Sequence, residues 1–427
     1  MWSWQSGSRG NKPHPVIPLL FAALSIGAAM AAPVDDLSRA SLPQMLEWLD
    51  VHHPELAAAR LEQDAAEARI QPATALPDPM LSVEWRDIRY DSPTLDPTQV
   101  GSMRYQFRQS IPLWGKRELR GQVAQSGVNT AQAARTQVRL NLRNQLQRAH
   151  AQWVAARETA RQLDALQQVM SDAERLARTR YAAGLVAQSE VLRAQTELAS
   201  LQNDQAAAQS TGRRATARLN ALLLRPSDAV LMDPAGFSPV PEKMDWRRLI
   251  EQLEGGNPQL QLAVAQIDAS TRTAELTRRN RWPDLTVGVA PMQTGSRFDS
   301  WELMLEINLP LQQETRRSQE REASLMRDAA VARQAATRTG LQGDLSELRA
   351  AYETALHHAH VLESSVLPQI ELSWRAAQIA YNSGAGDFSS LIEMQRAWRR
   401  ARIDLLNAAL DARLTLADIE LRVGGAL

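Results

Sequence analysis

Arg180-Tyr181-Ala182-Ala183-Gly184-Leu185-Val186-Ala187-Gln188-Ser189-Glu190-Val191-Leu192-Arg193-Ala194-Gln195 is met twice in this chain. The second version runs Ala380-Tyr381-Asn382-Ser383-Gly384, then Ser389, Leu391-Ile392 and Gln395. Tyr181, Gly184, Ser189 and Gln195 thus each recur 200 positions later, as Tyr381, Gly384, Ser389 and Gln395. Both versions lie between apolar patterns of coiled-coil spacing. Tyr closes the incoming pattern, and Gly supplies a positive φ that other residues reach only at a cost. Ser is placed to cap the outgoing helix, and Leu, Val or Ile resumes the seam. Each version is therefore expected to be the tip of a long antiparallel helical hairpin, at 181–189 and 381–389.

Upstream of the first tip, Leu142, Leu146, Ala149, Trp153, Ala156, Ala160 and Leu163 advance in steps of four and three, the spacing of a coiled-coil seam. Residues 113–181 would make one helix of about 100 Å at 1.5 Å per residue, and 189–224 would return. In the second half Leu341, Leu345, Leu348, Tyr352, Ala355, Ala359, Leu362 and Val366 lead to Tyr381, and 387–421 return. Before each long helix the period changes to two. Leu81, Val83 and Trp85 alternate with Ser82, Glu84 and Arg86, and past Asp87 the apolar positions shift to Ile88 and Tyr90. Strands are expected at about 80–91 and 102–111, and again at about 284–292 and 300–309, where Leu303, Leu305, Ile307 and Leu309 face one way. Such strands suit either a soluble sheet or an outer-membrane span with lipid on one face and a polar lumen on the other. Helices at 42–51, 54–70 and 246–253 precede them, and Pro72, Pro77, Pro79 and Pro283 are expected to stop helix. His53-Pro54-Glu55-Leu56 returns as Asn257-Pro258-Gln259-Leu260.

The expected organisation is a first repeat at 32–225, a linker at 226–256 and a second repeat at 257–427. Fixed self-similarity argues for one duplicated body rather than several domains. The 427 residues carry 48 acidic and 48 basic side chains, which gives no electrostatic reason for a nucleic-acid partner. Zero cysteines exclude disulfides, thiolate metal sites and a lipid anchor on an N-terminal cysteine. Arg9 and Lys12, the apolar run 16–28 and Ala29-Met30-Ala31 read as a signal peptide over 1–31. That run falls short of the ~20 apolar residues a spanning helix needs. His357, His358 and His360 are the one histidine cluster, with no carboxylate or cysteine to complete a metal set. His52-His53 sits at a helix break and reads as structural. No catalytic triad, phosphate loop or cofactor motif is present, so neither enzyme activity nor a cofactor is expected. Four strands cannot close a barrel; if they span a membrane, several chains must share one.

The duplicated order, the Tyr-x-x-Gly-x4-Ser tips and the Pro112-Leu113-Trp114-Gly115-Lys116-Arg117 strand exit together resemble the TolC family of trimeric outer-membrane efflux channels. Pro77-Asp78-Pro79 and that exit are most similar to its CzcC-like heavy-metal branch. The resemblance spans the whole mature chain. It implies a mainly α fold with a small β part: repeated helical hairpins forming a periplasmic α-barrel, and four strands per chain in a shared twelve-stranded outer-membrane β-barrel. It implies a homotrimer in outer-membrane lipid, working with a periplasmic adaptor and an inner-membrane pump. It implies passive conduction, with heavy-metal cations or small organic compounds as cargo. An adaptor carries one hairpin beside a lipoyl-like module, and a structural coiled coil would leave the strand pairs unexplained. Tyr381 matches a gate tyrosine of the family, Ser189 and Glu190 its partners, and Glu393 a ring carboxylate. The tips Gly184, Leu185, Val186 and Gly384, Ala385, Gly386 match the adaptor-docking turns. Gly386 stands where the family's gate arginine is expected, and Ser390 where it has a second ring carboxylate.

Overall fold

The computed structural model describes residues 34–88, 90–91, 93–234 and 236–425; the signal-peptide reading of 1–31 lies outside them. Three short helices, α1 (Leu42–His52), α2 (Pro54–Ala68) and α3 (Ile70–Thr74), lead to strands β1 (Met80–Arg86) and β2 (Ser102–Ile111). Then come the long α4 (Lys116–Ala182) and its return α5 (Gln188–Leu222). After a linker the second repeat runs α6 (Trp246–Gly256), α7 (Pro258–Arg279), β3 (Leu285–Thr294) and β4 (Arg297–Ile307). It continues as α8 (Gln313–Val361), a single π-turn (Leu362–Val366), α9 (Leu367–Ser383) and the return α10 (Phe388–Val423). Among the described residues no helix is long and apolar enough to cross a membrane.

Local chemistry sets these boundaries. His53 and Asn257 hold equivalent N-cap positions before Pro54 and Pro258: the His53 ring accepts from Glu55 N (3.3 Å), and Asn257 Oδ1 from Gln259 N and Leu260 N (2.8 and 3.1 Å). A cap satisfies donors that the first turn leaves over, and proline gives up none there. Pro72 does not stop helix as expected. It lies in the first turn of α3, where its missing N–H removes no bond; the break falls earlier, at Arg69. The first strand ends at Arg86 rather than near 91. Asp87 turns left-handed (φ 57°) and its carboxylate accepts from Ser102 Oγ (3.0 Å), so Ile88 and Tyr90 belong to the loop. Ser189 and Ser389 do not cap: Ala187 begins α5 without a side-chain bond, and Asp387 caps α10 by accepting from Ser390 N (2.6 Å).

The four strands form one antiparallel sheet in the order β1-β2-β3-β4. Leu81 faces Phe107 across the first pair, and Val287 and Val289 face Leu305 and Leu303 across the last. These side chains share one face, half-buried at Val289 and exposed at the others, Leu303 at 88%. The other face carries Glu84, Arg104 and Glu302, with Arg104 bonded to Glu302 (3.0 Å) and within 3.8 Å of Glu84. The apolar face is thus the more exposed one, and the polar face the more enclosed, with Gln106 buried beside Arg104. Lys116 fastens this sheet to the helices. Its ammonium is 2% exposed and donates to Trp282 O (2.7 Å) and Asp284 Oδ1 (2.8 Å). Trp114 Nε1 donates to Pro283 O beside it (2.9 Å). The exit of β2 in one repeat is therefore pinned to the lead-in of β3 in the other.

Below the sheet, two similar apolar cores fill equivalent places. One gathers Met45, Leu46 and Leu49 of α1 against Leu142, Leu146 and Trp153 of α4 and Leu219 of α5. The other gathers Leu249 and Leu253 of α6 against Leu341, Leu345 and Tyr352 of α8 and Ile419 of α10. Asp418 of α10 accepts from Asn144 (2.9 Å) and Arg148 (2.5 Å) of α4, which ties the repeats. The linker covers a cavity of about 160 Å³ lined by His150, Phe237 and Arg413. Burial, reinforced by the Arg413 cation, pushes the His150 ring down to about 4. The unfolded chain, with histidine near 6.5, then binds the extra proton between those values, so stability falls as pH drops through that window. Acidifying from pH 7 to 5 is expected to cost about 1–2 kcal/mol at this site. His150→Gln should remove that part of the pH slope in thermal melts of the purified protein.

Candidate functional site

The two hairpins meet side by side at their tips. A third apolar cluster fills the space between them: Leu163, Leu166, Met170 and Ala177 of α4, Val191, Ala194 and Leu201 of α5, and Tyr381, Phe388, Leu391 and Ile392 of the second hairpin. Tyr381 is its largest member near the turn, 1% exposed, with its ring against Phe388 (centroids 5.4 Å apart). The repeat partner Tyr181 is 45% exposed. The duplicated tyrosines therefore differ in role, and only the second is enclosed.

Glu190 and Arg180, both of the first hairpin, flank the Tyr381 hydroxyl. Burial first, then the Glu190 carboxylate, push that hydroxyl up to about 12, with Arg180 acting in the opposite sense. The phenol thus stays protonated. The Arg180 guanidinium lies 4.8 Å from the Tyr381 ring centroid and donates to Asn382 O (3.1 Å). Such a cation over an aromatic face contributes on the order of 0.5–2 kcal/mol. Sequence reasoning quoted Arg180 but gave it no task. Its one signal was its place immediately before the repeated tyrosine, where the second copy has Ala380.

Further along the hairpins, polar bonds join α5 to α10. Arg193 donates to Ser389 Oγ (2.5 Å) near the turn. Arg396 grips Glu197 Oε2 through Nε (2.9 Å) and Nη2 (2.5 Å), and Glu197 is 1% exposed. Arg399 reaches Asp204 (2.8 Å). A buried carboxylate deprived of its partner is strongly destabilised, so Glu197 commits the hairpins to this approach. Of the residues singled out from sequence, Tyr381 and Glu190 come together. Ser189 and Glu393 are exposed, with Glu393 close enough to Arg396 to favour its charge. Among the described residues no three of His, Asp and Glu are grouped to hold a metal, and His357, His358 and His360 are all exposed on α8.

The turns explain the departure at 386. Gly184 and Gly384 hold φ of 70° and 80°. At Gly386, an added Cβ would lie 2.9 Å from Ala380 Cβ and 3.2 Å from Tyr381 N, while its own N–H donates to Ala380 O (2.9 Å). No arginine stands there without opening the turn. The cation for Tyr381 comes from Arg180 on the opposite hairpin instead. Leu185 at the first tip is 74% exposed, and Ala385 is exposed at the second. Gly386→Ala is expected to loosen the second tip by about 1–3 kcal/mol through overpacking. Gly184→Ala meets no atom within 4 Å and should lose only about 1 kcal/mol, from its positive φ. Amide hydrogen exchange across residues 184–190 and 384–390 measures both.

Known proteins share this architecture. The crystal structure of the outer membrane protein VceC from Vibrio cholerae superposes with a TM-score of 0.76, at 18% identity, covering 92% of this chain and 98% of that one. The CmeC outer membrane channel of Campylobacter jejuni superposes at 0.75, with 15% identity, 98% of this chain and 94% of that one. In sequence, the cobalt-zinc-cadmium resistance protein CzcC of Cupriavidus metallidurans is 25% identical over 354 residues, 82% of each chain. The family described as outer membrane efflux protein matches residues 47–223 and 249–425, one stretch per repeat. With its doubled hairpins, its sheet apolar on an exposed face and this match over most of its length, the chain belongs to the outer membrane efflux protein family.

Proposed function

We propose that three copies of this chain close one barrel across the outer membrane and one helical tunnel beneath it. The assembly serves as the exit duct of a tripartite efflux system. The observation that carries this reading is the four-stranded sheet, whose exposed face is apolar and whose outer strands β1 and β4 each keep an edge unpaired among the described residues. Twelve strands from three chains remove those edges. The opposite face, with Arg104 between Glu84 and Glu302, then lines a polar lumen. Nothing in the described chain resembles a nucleotide site, so the driving energy comes from an inner-membrane pump, reached through a periplasmic adaptor that docks on the turns 184–186 and 384–386.

In this reading the tips are the gate. Tyr381, Glu190 and Arg180 hold the turns together, and Arg396–Glu197 and Arg399–Asp204 hold the hairpins above them. Ser189 and Glu393 lie on exposed surface beside these ties, where contacts between copies are made. Adaptor contact releases the tips and cargo passes. The cargo is heavy-metal cations, a reading supported by the similarity to a cobalt-zinc-cadmium resistance protein.

Two measurements test this. Deleting the gene should sensitise the host to cobalt, zinc or cadmium salts, with tolerance restored by the intact chain. Unchanged metal tolerance with new sensitivity to organic toxicants would replace the cargo. In planar bilayers, the double variant Glu197→Gln and Arg396→Gln should conduct several-fold more than the parent; equal conductance would remove these residues from the gate.

A further inference from the structure

The two incoming helices are not mechanically equivalent. In the first repeat α4 runs unbroken from Lys116 to Ala182. In the second, the same journey is divided between α8 and α9 by the π-turn Leu362–Val366. The sequence shows why. Seam positions pair at a constant offset of 199 from Leu142 and Leu341 down to Leu163 and Leu362. Below that, Leu166 pairs with Val366 and Tyr181 with Tyr381, at an offset of 200. One extra residue has entered between Leu362 and Val366, a step of four where Leu163 to Leu166 in the first repeat is a step of three. A π-turn absorbs one residue without rotating the rest of the helix off its seam. Pro368 follows at once. Inside a helix, proline removes a donor and crowds the carbonyl four residues back, which lies in the turn. The first hairpin carries Gln168 at the matching position.

Helices bend at prolines and π-turns. Beneath this one hang the contacts made to the tip region of the first hairpin: Tyr381 under Arg180, and the return helix with Arg396 and Arg399. α10 packs against the π-turn. The buried positions of α10 at the same height above the turn are Ala401 and Ala408, side chains too small to interlock. We propose that the one-residue insertion at Leu362–Pro368 sets the pivot of the gate: the second hairpin bends at this π-turn rather than along its length. This rests on the gate reading above and gives it a fixed point.

The chain's lack of cysteine allows clean spin labelling of the assembled protein in detergent. Glu347→Cys places a label above the π-turn and Asn382→Cys one below it, both on exposed positions. Distances between the symmetry-related labels are measured in the parent and in the Glu197→Gln, Arg396→Gln background. The hinge requires the 382 distances to lengthen by several ångströms while the 347 distances hold. If both sets lengthen together, the bend lies higher and the hinge is wrong though the gate stands. If neither changes, those ties are not a gate and the hinge falls with them. A second comparison guards against labels that disturb folding: amide exchange across 362–368 should be at least tenfold faster than across 163–169 of α4, and equal rates would also overturn the proposal.

Discussion

Two rows of backbone hydrogen-bonding groups, one along β1 and one along β4, govern this molecule. Within a bilayer an unpaired peptide group has no water to turn to, and each costs several kcal/mol. A four-stranded sheet with an apolar exposed face cannot remain so in its own membrane. Everything else in the chain follows from supplying that sheet with neighbours and holding it in place. Duplication provides two similar strand pairs. Lys116, buried between Trp282 O and Asp284, locks the first pair to the second at the point where sheet becomes helix. Pro310-Leu311-Gln312-Gln313, after β4, carries no such lysine.

The helical part solves a different problem. A hairpin some 100 Å long cannot rely on propensity; it needs a continuous seam. Alanines at 149, 156 and 160 of the α4 seam allow close helix approach, while the broader cores under the sheet recruit α1 and α6 to add breadth. At the far end Arg–carboxylate pairs flank the apolar cluster between the tips, and the Glu190 carboxylate and Arg180 guanidinium act on the enclosed Tyr381 hydroxyl.

Much of this was legible in the residues. Period two, period three-and-a-half and the repeated Tyr-x-x-Gly tips are strong signals because they reflect which atoms must be buried, and the observed element order follows them. What escaped were decisions made by contacts between distant segments. Asp87 breaks the first strand because Ser102 awaits its carboxylate. Asp387 rather than Ser389 caps α10, since the turn places its oxygen nearest the free Ser390 N–H. Gly386 was noted where the resemblance puts an arginine; the turn there has no room for a side chain, and Arg180 of the other hairpin lies over the Tyr381 ring. The extra residue at the π-turn shows only when the two seams are set side by side, because Leu341 to Val366 by itself alternates four and three without a break.

The central claim is that the sheet completes itself only with copies of its own chain. Native mass spectrometry of the mature protein, extracted from outer membranes in mild detergent, measures this directly. The account predicts a mass of three protomers that survives dilution. A stable single protomer inserted in the membrane fraction would contradict it.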